Sequence, residues 1–230
     1  MKKVLFVLTS HARLGDTGRQ TGVYLEELAV PYWYLLDGGH EVRVASIAGG
    51  EVPIDPGSRE PSQRSPAVER FLGDEKAMAA LRDTPAVDTC SIDDFDAVYL
   101  PGGHGTMWDL PSSAGLARLV GSAFDAGRVV AAVCHGPAGL VSAVLADGRP
   151  LVAGRRVAGF TDEEEAAVGL ADIVPFHLER RLRELGAEVV VAPKFTSNVV
   201  RDGRLVTGQN PQSSEALAAQ IVAALEEQQA

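Results

Sequence analysis

The sequence predicts an α/β fold: a mostly parallel sheet flanked by helices on both faces, with a β-hairpin in the C-terminal half. Three observations predict it. Strand-like apolar runs alternate with helix-length amphipathic stretches along the chain. One run, Val129–Val133, is apolar throughout, the pattern of a strand covered on both faces. The 230 residues, 46% apolar and 23% charged, suit one domain, 1–230, and exclude a disordered or fibrous chain.

In order, Val4–Leu8 reads as the first strand. Tyr24–Leu36 reads as a helix, kinked or divided by Pro31 and stopped at Gly38-Gly39. Glu41–Ala45 is the second strand. Residues 49–66 carry prolines 53, 56, 61 and 66 and read as a surface excursion. Glu69–Arg82 is helical, Ala97–Leu100 a strand, Ser112–Ala126 a helix closed by Gly127. After Val129–Val133, Pro137–Leu145 reads as a short helix and Val157–Phe160 as a short strand. Val174–Leu185 has helical spacing with Gly186 as its stop, and Glu188–Ala192 is a further strand. Val199–Val206, broken at Asp202-Gly203, is the strongest hairpin signal. Pro211 and Gln212–Leu225 form the closing helix. There is no internal repeat and no low-complexity tract.

A net charge of −10, from 21 basic and 31 acidic residues, leaves no electrostatic footprint for nucleic acid or an anionic membrane surface. The five apolar residues Val4–Leu8 are too few for a signal-peptide core or a membrane span. Cys90 and Cys134 provide neither a disulfide framework nor a CxxC zinc pair. The expected setting is therefore reducing and cytoplasmic.

Ligands of open α/β sheets gather at the carboxyl ends of strands, and two loops of unusual composition fall there. Pro101-Gly102-Gly103-His104-Gly105-Thr106 lets backbone N–H groups approach a substrate closely, although a plain glycine turn reads the same way. The second runs from Val129 through Cys134-His135-Gly136-Pro137 to Gly139. It has the layout of a nucleophile elbow, a tight strand–turn–helix corner that lifts its nucleophile above the sheet. A following helix N-terminus and a nearby imidazolium would lower the thiol pKa; a buried cysteine acting as a small hydrophobe is the alternative. Cys90 lies in a polar segment and takes no role. His177-Leu178-Glu179 has the His-x-Glu spacing of glutamine amidotransferases but lies within the 174–185 helix, where a solvated face is the plainer reading. Asp162-Glu163-Glu164-Glu165 reads as a helix cap and first turn beside the same sheet edge.

The segments Ala131–Gly139, Pro101–Thr106, Thr21–Glu27, Gly159–Thr161 and Leu205–Pro211 together resemble the PfpI/ThiJ superfamily, over essentially the whole chain. Within it they look most like the branch of heat-shock-type chaperones and glutathione-independent glyoxalases. The resemblance implies a flavodoxin-like, class I glutamine amidotransferase-like fold and a homodimer. It implies Cys134 as nucleophile, Glu26 as the carboxyl that hydrogen-bonds the thiol and relays protons, and His135 oriented by an acid after Phe160. Glu165 fits that place best, with Glu163 next. Backbone N–H groups of Gly103 and His135 would form an oxyanion pocket beside His104. Trp108, Tyr24 and the Pro-rich excursion 49–66 would shape the pocket mouth. Ala132 and His135 depart from the glutaminase pattern.

The activity implied is glyoxalase III-like: the thiolate adds to a small 2-oxoaldehyde, a base moves the carbon-bound proton through an enediol, and hydrolysis releases the hydroxy acid. Methylglyoxal would give lactate. That chemistry requires no metal, flavin or nicotinamide, and the sequence carries no fingerprint for one. A hydrolase or deglycase, or a holdase chaperone or redox sensor using the same thiol, are the alternatives.

Overall fold

The computed structural model of the chain describes residues 1–227. Its first strand, β1 (Lys3–Leu8), is apolar on both faces and lies inside the sheet. Val4, Phe6 and Leu8 point into one hydrophobic layer, Leu5 and Val7 into the other. The same alternation runs through β3 (Ala97–Leu100) and β4 (Val129–Val133), all of whose residues are buried. With β2 (Glu41–Ser46), β7 (Val199–Asp202) and β8 (Leu205–Gly208), they form a six-stranded sheet in the order β2-β1-β3-β4-β8-β7. Every neighbouring pair is parallel except β7–β8, an antiparallel hairpin that turns at Gly203, φ +60°.

Helices α1 (Leu25–Asp37) and α8 (Ser214–Glu227) pack against each other on one face, with α2 (Pro66–Gly73) beside α1. The opposite face is covered by α5 (Ala114–Asp125), through Leu116, Leu119, Val120 and Ala123. The chain leaves β1 toward β2 and later enters β3 on the other side of β1, so the strand order reverses there. A crevice opens at such a point, outside the carboxyl ends of the strands. Among the described residues no helix is long and apolar enough to cross a membrane.

Several elements differ from the sequence expectation, each for a local reason. Pro31 sits inside α1 without dividing it. Proline removes the bond to the carbonyl four residues back, here Glu27, and the Tyr99 hydroxyl donates to that carbonyl instead, at 2.6 Å. The 69–82 helix is two: Asp74 ends α2 and caps α3 (Glu75–Ala79) by accepting from Ala77 N–H. Residues 106–109 make a short helix, α4 (Thr106–Asp109), and α5 starts only after its Ser113 cap. The 137–145 helix is a single 3₁₀ segment, Gly136–Leu140. In the 49–66 excursion, 3₁₀ turns form at Pro56–Arg59 and Pro61–Gln63.

The expected strand 157–160 shrinks to β5 (Arg156–Val157), paired with β6 (Glu188–Val189) in a separate two-stranded sheet. The residues after β5 are drawn away: Ala158 N–H donates to Thr207 Oγ1 at 2.8 Å, and Phe160 N–H to the Cys134 carbonyl at 2.8 Å. The acidic run becomes α6 (Asp162–Ala167), opened by a Thr161–Glu164 capping box. Helix α7 (Leu178–Glu184) begins later than expected, with His177 as its cap residue. His177 faces Asp162, and Glu179 accepts from Asp162 N–H and Arg183, so neither joins the elbow cysteine.

Candidate active site

β4 delivers the chain to Cys134 at the carboxyl edge of the sheet. There the backbone turns through φ +58°, a left-handed conformation that a residue with a Cβ rarely adopts. Two backbone bonds pin it: Cys134 N–H donates to Gly208 O at 2.9 Å, and Cys134 O accepts from Phe160 N–H. The turn is tight enough that a Cβ on Gly136 would fall on the Leu100 carbonyl. The neighbouring loop is as closely packed. Gly103 holds φ +96°, and a Cβ there would strike the Gly22 carbonyl.

The elbow brings adjacent side chains together. Cys134 Sγ lies 3.3 Å from His135 Nδ1, and His135 Nε2 lies 2.7 Å from Glu165 Oε2. The other oxygen of that carboxylate, Oε1, takes His104 Nε2 at 2.8 Å. One carboxylate thus bridges two imidazoles, whose ring centroids are 4.1 Å apart, and Phe160 packs on the His135 ring. Burial works against charge on Glu165, but the two imidazoles outweigh it and hold the carboxyl well below its usual range. His135 is pushed down by burial and by His104, so it is a neutral imidazole. With Nε2–H donated to Glu165, its Nδ1 is left as an acceptor facing the thiol. His104, His135 and Glu165 are also residue types that ligate transition metals, and their donor atoms lie within 4.8 Å of one another.

The carboxyl beside the thiol is Glu27, where the family resemblance implied Glu26. Glu27 is fully buried; its Oε2 accepts Gly102 N–H at 2.7 Å, while Oε1 has no hydrogen-bond partner among the described residues. Burial pushes its pKa up to about 8, with the Cys134 thiol and Gly102 N–H pulling the other way. Glu26, one position earlier, points about 100° away around the helix. Its carboxylate takes the Ser65 hydroxyl at 2.5 Å, at a groove lined by Tyr24, Ser65 and Gln212. The residue pair Glu26-Glu27 does not itself say which one turns inward. Pro31 carries the available signal, because it leaves the Glu27 carbonyl to find a donor in the core.

The thiol environment also differs from the expectation. Burial first, and the Glu27 carboxyl second, push Cys134 well above its ordinary range, and the His135 N–H only partly offsets them. The 3₁₀ segment after the elbow is too short to supply the aligned dipoles of a long helix N-terminus. The expected oxyanion donors are both available. The backbone N–H of His135, which lowers the thiol pKa, and that of Gly103, in the cavity wall, make no hydrogen bond among the described residues.

A cavity of ≈ 670 Å³ opens above these groups, with Glu27, Cys134, His135, Gly103 and His104 in its lining. Tyr24 is at its wall. Trp108 is not: its ring stacks on His11, with centroids 5.2 Å apart, against Gly15. The excursion does line the cavity, through Asp55 and Gln63, residues the sequence did not single out; Arg19 and Gln20 of the hairpin at 13–20, and Gln212 before the last helix, it missed altogether. None of these residues carries a local motif. Of the four consecutive acids, Glu163 is exposed beside Lys194, Glu164 is buried in the capping box, and Glu165 reaches the imidazoles.

Residues 20–224 match the model of the DJ-1/PfpI family. A glutathione-independent glyoxalase of Schizosaccharomyces pombe, hsp3101, is 33% identical, over 94% of this chain and 93% of its own. The crystal structure of glyoxalase III from Candida albicans superimposes with a TM-score of 0.90 at 30% identity, covering 97% of each chain. The Rapid Encystment Protein 24 kDa of Francisella tularensis superimposes with a TM-score of 0.94 at 37% identity, covering 98% of this chain and 99% of its own.

Proposed function

The chain belongs to the DJ-1/PfpI family, and from that membership and the pocket we propose that it is a cysteine-dependent glyoxalase. It converts a 2-oxoaldehyde and water to the 2-hydroxy acid, as methylglyoxal to lactate. The relatives that carry the name glyoxalase support the reading. The observation that carries it is the pairing, around one buried thiol, of the His135 imidazole at 3.3 Å and the buried Glu27 carboxyl, whose pKa burial pushes up to about 8.

The steps follow from those protonation states. Cys134 Sγ forms a bond to the aldehyde carbon C1 as its proton passes to His135 Nδ1. Glu165, fixed by a second bond to His104, stabilises the imidazolium. Glu27, protonated at neutral pH, gives its proton to the former aldehyde oxygen and the hemithioacetal results. As a carboxylate it then takes the proton from C1, giving an enediolate; the C1 hydroxyl proton passes to the C2 oxygen, and Glu27 returns its proton to C2. A pKa about 8 suits a group that must both give and take. C1 is now a thioester and C2 an alcohol, so carbon has been oxidised at one atom and reduced at the other. Water attacks C1 and gives a proton to Glu27, the imidazolium returns its proton to the departing sulfur, and the acid ionises. The backbone N–H groups of Gly103 and His135 are the donors available to the C1 oxygen as it gains charge.

The test is lactate formation from methylglyoxal by the purified protein, with Cys134→Ala as control. Turnover that depends on Cys134 is the expected result; lactate at the same rate from the variant, or none from the native chain, overturns the reading. The same reading carries a homodimer and a reducing, cytoplasmic setting, checked by sedimentation and by the free-thiol count of protein isolated from cells.

A further inference from the structure

The floor and the mouth of the cavity suit different parts of one ligand. Resting on the glyoxalase reading above, we propose that the preferred substrate is a 2-oxoaldehyde with a long, uncharged, polyhydroxylated tail, the kind that hexoses yield by losing water.

The reacting groups Cys134, His135 and Glu27 are buried at the floor, and a three-carbon dicarbonyl has only a handful of heavy atoms with which to meet them. The cavity of ≈ 670 Å³ lies in the range that encloses far larger ligands, about 300–1,000 Å³. The walls above the floor are chemically specific. Gln20 and Gln212 line the cavity as exposed residues, and their side-chain amides make no hydrogen bond among the described residues. Gln63 Oε1 accepts from the Tyr24 hydroxyl at 3.0 Å, and its amino group makes no hydrogen bond among the described residues. A primary amide both donates and accepts, as a hydroxyl does, so amides with free donors and acceptors in one wall match a chain of hydroxyls.

Charge decides against an ionic tail. Arg19 lines the cavity with no ion pair among the described residues, which alone would favour an anion. Asp55 lines the same cavity, with its oxygens already taking the Thr21 hydroxyl and Gly57 N–H, and it balances that charge. Glu27 is uncharged at neutral pH. The partly exposed Phe195 and Val168 stand on the remaining wall, where the C–H edge of a sugar-like chain can pack. The reaction is unchanged: C1 becomes a carboxylate, C2 an alcohol, and one water is consumed.

The experiment compares kcat/KM for 3-deoxyglucosone, methylglyoxal and phenylglyoxal, in the native chain and in the double variant Gln20→Leu/Gln212→Leu. We expect 3-deoxyglucosone to exceed methylglyoxal by at least about tenfold, and the variant to lower that preference by about tenfold. Native protein that prefers methylglyoxal or phenylglyoxal overturns the inference and leaves the glyoxalase reading intact, as does a variant that lowers all substrates equally. Native protein that turns over none of the three, or a Cys134→Ala protein that turns over all of them, overturns both.

Discussion

The Tyr99 hydroxyl donates to the Glu27 carbonyl at 2.6 Å, in the place of the backbone N–H that Pro31 lacks. A helix defect and a β-strand side chain thus fix the position of the carboxyl beside the thiol. Tyr99→Phe removes the donor and leaves a buried carbonyl unpaired, which costs about 1–3 kcal/mol. We expect a lowered Tm together with a fall in kcat, since Glu27 is then held less firmly. A variant with native Tm and native kcat shows that the contact positions nothing.

Adjacent acids on α1 have opposite expected phenotypes. Glu27→Gln keeps the shape and loses the proton traffic, so kcat drops by at least about 100-fold. Glu26→Gln changes a carboxylate that faces Ser65 and retains kcat within about threefold. Steady-state lactate formation measures both. The reverse order of effects returns the proton relay to Glu26.

The route of the C1 proton is visible in isotope. A carboxyl that takes the proton and returns it exchanges with solvent between the two steps, whereas a direct shift from C1 to C2 does not. Turnover of methylglyoxal in D₂O therefore yields lactate deuterated at C2, detected by proton NMR. Lactate retaining hydrogen at C2 means that the proton returns before it exchanges or never leaves the substrate, and the Glu27→Gln kinetics then distinguish the two.

The raised pKa of Glu27 is also a statement about stability. Between its unfolded value, near 4.5, and about 8, the folded chain keeps this proton and the unfolded chain does not. Folding then binds a proton, so this group's contribution to stability falls as pH rises through that window, and it levels off above it. Glu165 has the opposite sign: its lowered pKa adds stability that is lost in acid as pH falls below the unfolded value. Against the native chain, Glu27→Gln is expected to gain Tm progressively from pH 5 to pH 8. A difference in Tm that is constant across this range means that Glu27 ionises as readily folded as unfolded.

The strands were legible because the physics that specifies them is local: Val129–Val133 and Ala97–Leu100 are apolar on both faces and occupy the middle of the sheet. The elbow cysteine was legible for the same reason, since strand, cysteine, glycine and proline follow one another directly. The inward carboxyl was not. On α1 the choice between Glu26 and Glu27 is made by contacts with Tyr99 and Gly102, about 70 residues away. The short strand at 157–160 was overstated because Phe160 N–H is captured by Cys134 O, a partner that no local pattern displays. The same holds for the cavity mouth, whose glutamines come from separate loops.

The acidic run after Phe160 tests how much a one-residue step matters, because three neighbouring glutamates have three surroundings. Glu163 is exposed beside Lys194, and Glu163→Ala is expected to change stability by no more than about 0.5 kcal/mol and activity hardly at all. Glu164 is fully buried and accepts from Thr161 N–H, Phe195 N–H and Asn210 Nδ2, so it ties the cap of α6 to the 193–197 loop. Removing it strands those donors at about 1–3 kcal/mol each, and Glu164→Ala is expected to lower Tm more than any other change in the run. Glu165 touches His104 and His135, so Glu165→Gln keeps the packing but no longer stabilises an imidazolium. Its kcat should fall by at least about 100-fold, with Tm moved less than in Glu164→Ala. Thermal melts and kcat on the three variants separate the cases. If Glu164→Ala lost activity at native Tm while Glu165→Gln kept it, the orienting carboxylate would be one residue earlier than this geometry assigns.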